Sequence, residues 1–257
     1  MRKRYLFFDI DGTLAAGGYE KMFIPESTKT ALDKLRSAGH FLCISTGRAQ
    51  AMAVDVMREL GFHNMVSDGG YGLTVNDKLI GIMPLNRQDC ISLVRECREK
   101  GFPWAIQVDN SSIRKAPDSS FYEFTHDTYM SIDVVPGLDP EDYADIYKVF
   151  VACYEHEEEK LDMLKKLPWC RFHREYIFVE PCDKAYGIRR MMDLMEADCK
   201  DVIVFGDALN DLSMFVDEWT CVAMGNAADE LKEKADLITR DVCDDGIYYA
   251  CMQLGLF

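Results

Sequence analysis

No C-x-x-C pair occurs in the 257 residues, and the ten cysteines stand singly. A metal or redox role for them therefore has no motif behind it. Cys43, Cys153 and Cys221 fall inside apolar runs, which predicts buried, reduced thiols. Long apolar runs are also missing. The best candidate, "IYKVFVACY", is short and carries Lys148, well below the roughly 18 apolar residues of a membrane-spanning helix. The N-terminus begins "MRKRYLFFDID", but its apolar run stops at Phe8, too early for a secretion signal of roughly 7 to 15 apolar residues. A cytoplasmic protein without a membrane partner is expected. Basic residues are in deficit, 29 against 44 acidic, and the resulting charge of -15 repels nucleic-acid backbones and anionic surfaces. Any anionic substrate has to be held by local cations. There is no internal repeat and no low-complexity tract.

What is present is a core-forming composition, 48% hydrophobic, and a regular alternation of patterns. "KRYLFFD" reads as a buried strand, "TKTALDKLRSAGH" as a helix with Ala31, Leu32, Leu35 and Ala38 on one face, "HFLCIST" as a strand and "RAQAMAVDVMRELGF" as a helix. This β-α-β-α order argues for an α/β fold with a parallel sheet covered on both sides. The texture changes near residue 83. "NRQDCISLVRECREKGF" reads as a helix and "WAIQVD" as a strand, residues 111–140 as mixed loop and turn, and the stretch up to residue 182 as strand, helix and strand. The acidic run "EHEEEK" reads as a solvated helix start. From "DKAYGIRRMMDLME" the first rhythm resumes, with "DVIVFGD" a strand, "ALNDLSMFVDEW" a helix, and a further strand, helix and strand to "DLIT". An insertion that interrupts one sheet accounts for this: core 1–82, inserted α/β domain 83–182, core 183–257.

In an open parallel sheet, ligands bind beyond the carboxyl ends of the strands. Asp9 and Asp11 end the first strand, Ser45-Thr46-Gly47 the second, Asp207 a later one, and Lys184 opens a helix where the core resumes. Two carboxylates 4 Å apart repel by about 4 kcal/mol at an effective dielectric of 20. Asp9, Asp207 and Asp211 on one edge thus call for a cation. Oxygen ligands with positions left for water and phosphate describe Mg²⁺ rather than zinc. Lys184, the Thr46 hydroxyl and backbone N–H groups at Gly47 can hold an anion there. Asp9 is expected to attack phosphorus; Asp11 is expected to protonate the leaving oxygen and then to activate water. Gly12 permits the bend between them, and Thr13 can hydrogen-bond within it.

"DIDGT", "STGR", the isolated Lys184 and "GDALND", in that order, resemble the four motifs of the haloacid dehalogenase superfamily of phosphatases. "AMGNAADELKEKADLIT…DDGI" is similar to its Cof-type sugar-phosphatase branch. The resemblance covers nearly the whole chain. It implies a Rossmann-like parallel-sheet core with an inserted α/β cap, Mg²⁺ bound by Asp9, the carbonyl of Asp11 and Asp207 with Asp211 and Asn210 supporting, and phosphate held by Thr46, Gly47 and Lys184. It further implies hydrolysis of small phosphorylated metabolites through an aspartyl-phosphate, by a monomer or small homo-oligomer. A phosphomutase, a phospho-accepting receiver-like module and a sugar-phosphate sensor are rival readings. Two positions depart from the pattern: Gly69 stands where the branch has asparagine, and Ala185 where it often has glycine. The link "VEPCDK" is also short. Arg48 either salt-bridges or meets ligand. Asn226 reads as a helix cap; His126, Asp127 and Tyr129 lie in the cap, where substrate selection would occur if it closes over the site, and otherwise read as exposed loop residues.

Overall fold

The computed structural model describes residues 2–17, 21–171 and 173–257. In chain order the elements are β1 (Tyr5–Phe8), α1 (Glu26–Ser37), β2 (Phe41–Ser45), α2 (Gln50–Glu59), β3 (Met65–Ser67), β4 (Gly72–Val75), β5 (Lys78–Ile82) and α3 (Arg87–Lys100). There follow β6 (Trp104–Gln107), β7 (Ile113–Ala116), α4 (Ser120–Thr125), β8 (Ser131–Val134), β9 (Lys148–Ala152), β10 (Trp169–Cys170) and β11 (Tyr176–Val179). The last are α5 (Lys184–Leu194), β12 (Val202–Gly206), β13 (Thr220–Ala223), α6 (Asp229–Lys234), β14 (Leu237–Ile238) and α7 (Gly246–Gln253). Two compact units result, one of residues 1–48, 53–81 and 183–257, the other of residues 49–52 and 82–182.

The first unit is an eight-stranded sheet in the order β14-β13-β12-β1-β2-β3-β4-β5. From β14 to β3 all neighbours are parallel. β1 is central because Leu6, Phe7 and Phe8 are apolar on both faces and fully buried, as a strand covered on two sides requires. α1 turns Thr28, Ala31, Leu32 and Leu35 inward and leaves its charged residues in water. The chain leaves β1 for β2 on one side and returns through β12 on the other. β1 therefore lies where the direction of winding reverses, and its carboxyl end is where such folds bind ligands. β4 and β5 form a hairpin whose Asn76 and Asp77 both take positive φ, 49° and 64°, as a two-residue turn of matching twist demands.

The second unit is a six-stranded sheet, β10-β11-β9-β6-β7-β8, antiparallel except for β7–β8. Alternate residues feed two apolar layers. Trp104, Ile106, Val149, Val151 and Ile177 pack with Ile91 and Val94 of α3, and Phe121, Phe150, Tyr176 and Phe178 form an aromatic layer with Ala105. Lys148, which interrupts the apolar run of β9, is buried and paired with buried Glu180.

Three expectations are corrected here. Residues 111–140 are not only loop: β7, α4 and β8 lie within them. The run "EHEEEK" makes 3₁₀ turns with no buried residue, because adjacent like charges and the lack of an apolar stripe leave an α-helix nothing to pack with. "ALNDLSMFVDEW" also gives a 3₁₀ segment, Leu209–Met214, tightened by the Asp211 carboxylate accepting the N–H groups of Asp207 and Ala208 at 2.9 and 3.1 Å. Cys43, Cys153 and Cys221 are buried free thiols, as their apolar neighbours predict.

Candidate active site

The first unit brings Asp9, Asp207, Asp211 and Lys184 together from the ends of β1 and β12, the turn after β12 and the start of α5, whereas the Asp11 carboxylate pairs with Arg48, whose N–H donates to Thr46. Asp9 directly follows β1 and is buried, its N–H bonded to the Phe205 carbonyl of β12 at 3.0 Å. One carboxylate oxygen each from Asp9, Asp207 and Asp211 lies within 4.8 Å of the others. Among the described residues no histidine or cysteine joins this cluster. Lys184 is the first residue of α5, whose N-cap Asp183 accepts the Tyr186 N–H, and its own N–H donates to Ser213 Oγ. From there Nζ donates to Asp9 Oδ1 at 2.7 Å and to Asp211 Oδ1 at 2.5 Å.

Three carboxylates face one buried ammonium, so the fully ionised cluster would carry two negative charges in excess. The titration behaviour carries that imbalance. Burial pushes the Asp9 pKa from 3.8 up to about 8, against the pull of Lys184 and with the Asp211 and Asp207 charges adding to the rise. Burial likewise raises Asp207 to about 7, helped by the Asp211 charge and opposed by the Thr13 hydrogen bond. For Lys184 burial works the other way, yet Asp211 and Asp9 hold its pKa above the ordinary lysine value. A divalent cation would match the excess charge, and an all-oxygen donor set is one that hard cations take. The residues present fit such an ion.

The three acids differ in what already occupies them. Both Asp211 oxygens are taken, one by Lys184 and the other by the Asp207 and Ala208 N–H groups. Asp207 Oδ1 accepts from the Thr13 hydroxyl at 2.8 Å, while Oδ2 has only a 3.5 Å contact from Asn226 Nδ2. The Thr13 hydroxyl thus reaches across to the residue after β12, while its N–H donates within its own turn to the Ile10 carbonyl at 3.4 Å. Gly12 has φ +84°, and a Cβ on it would stand 2.1 Å from Asp207 Oδ2. Glycine is needed here twice over, for the bend and for the approach of the acid.

Arg48 salt-bridges: Nε donates to Asp11 Oδ2 at 2.9 Å and Nη2 to Asp11 Oδ1 at 2.5 Å. Thr46 is buried and its Oγ1 accepts the Arg48 N–H. Asn210 has a buried side-chain oxygen with no hydrogen-bond partner among the described residues. Gly69 takes φ 61°, ψ 22°, a left-handed conformation that asparagine also visits, and its carbonyl accepts the Asp183 N–H that leads into Lys184. The close packing of α5 rests on Gly187 rather than on position 185: a Cβ at 187 would meet Val66 Cγ1 at 2.4 Å and the Gly70 carbonyl at 2.6 Å.

Asn226 does not cap a helix. Its Nδ2 donates to the Gly12 carbonyl at 2.9 Å and its Oδ1 accepts the Val242 N–H, which ties the first-strand loop to the chain's last third. Asp127 is no free loop residue either; it pairs with Arg114, a wholly buried guanidinium set against Phe121 and Phe150 in the second unit. His126 is exposed at the end of α4, as expected.

A family model described as haloacid dehalogenase-like hydrolase matches residues 6–251. The chain belongs to this family. Among haloacid dehalogenase-like hydrolases of known sequence, it is 31% identical over 261 residues to "Putative phosphatase YkrA" of Bacillus subtilis, covering 100% of this chain and 99% of the relative. Among solved structures, a hypothetical protein of Geobacillus kaustophilus is 32% identical with a TM-score of 0.85, each chain covered over 100%. The subclass IIB sugar phosphatase BT4131 is 25% identical with a TM-score of 0.78, covering 99% of this chain and 100% of that one. The parallel-sheet core with an inserted α/β cap is thus the fold of this chain. No described helix is long and apolar enough to cross a membrane.

Proposed function

We propose that this chain is a Mg²⁺-dependent phosphomonoester hydrolase acting on small phosphorylated metabolites, sugar phosphates foremost, through an aspartyl-phosphate on Asp9. The observation that carries the reading is the charge count at the end of β1: three carboxylates within 4.8 Å, one lysine among them, and all donors oxygen. The name of BT4131 supports the sugar-phosphate class.

Bound by the Asp9 and Asp207 carboxylates and the Asp11 carbonyl, Mg²⁺ would neutralise the excess charge and draw electron density from a phosphoryl oxygen. Asp211, with both oxygens engaged, supports by fixing Lys184 and the Asp207 loop. Lys184, the Thr46 hydroxyl and the Gly47 N–H hold the phosphoryl oxygens, and Asn210, whose buried Oδ1 has no partner among the described residues, is the further substrate contact. Asp9 attacks phosphorus, and the leaving oxygen departs with a proton from Asp11. Water then attacks phosphorus and gives its proton to Asp11, and inorganic phosphate leaves Asp9.

Asp9→Asn should abolish hydrolysis of p-nitrophenyl phosphate with Mg²⁺ while the chain keeps its circular-dichroism spectrum and still melts cooperatively. Turnover at the wild-type rate would remove Asp9 as nucleophile.

A further inference from the structure

The Arg48–Asp11 pair is lopsided. Arg48 is the buried member, with 7% of its side chain exposed against 46% for Asp11. Its backbone is also pinned on both sides, the N–H donating to Thr46 Oγ1 at 3.1 Å and the carbonyl accepting the Asp68 N–H at 2.9 Å. Arginine is thus the anchored partner and aspartate the one with room to turn. A bidentate guanidinium fixes the plane and direction of a carboxylate as a point charge does not. With one Arg48 N–H on each oxygen, each keeps a lone pair for a proton, and the direction in which that lone pair points is set by the guanidinium plane.

We infer that Arg48 is a positioning residue for Asp11: it sets the resting orientation of the carboxylate, and one of its two hydrogen bonds serves as a pivot when Asp11 turns to the reacting oxygen. The inference rests on the roles proposed above for Asp9 and Asp11. In the first step an Asp9 oxygen bonds to phosphorus, the bond from phosphorus to the leaving oxygen breaks, and that oxygen takes the Asp11 proton. In the second, a water oxygen bonds to phosphorus, its proton goes to Asp11, and the bond from phosphorus to Asp9 breaks. With p-nitrophenolate as leaving group the first step scarcely needs a proton. Loss of Arg48 therefore falls on the second step, where Asp11 must be aimed at water.

Rapid-quench kinetics with p-nitrophenyl phosphate and Mg²⁺ separate the two steps in wild type, Arg48→Met, Arg48→Lys and Asp11→Asn. In Arg48→Met, phosphoenzyme should form at near the wild-type rate and decay about tenfold more slowly or worse. Inhibition by inorganic phosphate should stay unchanged. Arg48→Lys, with a single-point donor, should fall between. Wild-type decay in Arg48→Met, or parallel loss of phosphoenzyme formation and of phosphate inhibition, overturns the inference; the second result would make Arg48 a ligand contact. If the Met variant does not fold, the Lys variant decides, wild-type decay again counting against the role. Asp11→Asn keeps the two readings apart: normal decay there removes Asp11 itself, whereas slow decay there with normal decay in Arg48→Met removes only the positioning by Arg48.

Discussion

The excess charge at the end of β1 predicts that removing the nucleophile stabilises the metal-free protein. Asp9 is 4% exposed, and burial, the largest cause, lifts its pKa from 3.8 to about 8. The sign follows from proton counting. Between those two values the folded state keeps a proton that the unfolded state has released, so stability falls as pH rises through the interval. At pH 7 the gap from the unfolded value is roughly 3 pH units at about 1.4 kcal/mol each, a penalty of about 4 kcal/mol. Asp9→Asn removes that penalty, and the amide oxygen takes the place of the protonated acid as acceptor for Lys184 Nζ. The net effect is a gain of up to about 4 kcal/mol and a rise in Tm of several degrees for a chain of this size. Thermal melts of both proteins in EDTA across pH 4.5 to 8 check it. The advantage should be smallest at the acid end, grow towards pH 8, and shrink with saturating Mg²⁺, which stabilises the wild type by binding its folded state. A variant less stable than wild type in EDTA near neutral pH, or an offset that does not change with pH, refutes the charge argument.

Gly12→Ala should weaken Mg²⁺ binding about tenfold or more, read by metal titration of activity, because the new methyl would overlap the Asp207 carboxylate at 2.1 Å and the backbone there holds φ +84°. Wild-type metal affinity in that variant would mean the acid does not sit against the bend. Arg114→Met should destabilise the second unit by about 3–5 kcal/mol, since it leaves Asp127 without its partner beneath the aromatic layer. Hydrogen exchange should show the loss of protection in β7 and β8, and unchanged protection there would show that the pair contributes little.

Elements buried on two faces were legible because their residues answer to one demand only. β1, β2, β12 and β13 read as continuous apolar runs, and each is a core strand. α1 and α5 declare themselves through one apolar stripe each. Failures came where a short element depends on a distant partner. β7 and β8 have four residues each, pair with one another, and carry Lys115 and Asp133 on their outer side in an ion pair at 2.9 Å. No local period marks such strands. The segment Leu209–Met214 carries a helix-like pattern, but Asp211 turns back onto the Asp207 and Ala208 N–H groups and draws it into a tighter coil.

The same division runs through the site. That Asp9, Asp207, Asp211 and Lys184 would meet followed from strand ends and motif order. What each does once there depends on which lone pairs are already spent, and sequence is silent on that. Asp207 and Asp211 stand in one "GDALND" stretch with nothing local to rank them. In the fold, Asp211 accepts from Lys184 and two backbone N–H groups, whereas Asp207 keeps one oxygen with no close donor among the described residues. Of the Arg48 alternatives, salt bridge and ligand contact, the fold shows the first, bidentate at Asp11, which depends on the direction of one side chain that no local pattern marks. Asn226 would look the same on paper as a cap or as a tie. It is a tie because the Gly12 carbonyl, 214 residues away in sequence, lies 2.9 Å from its amide.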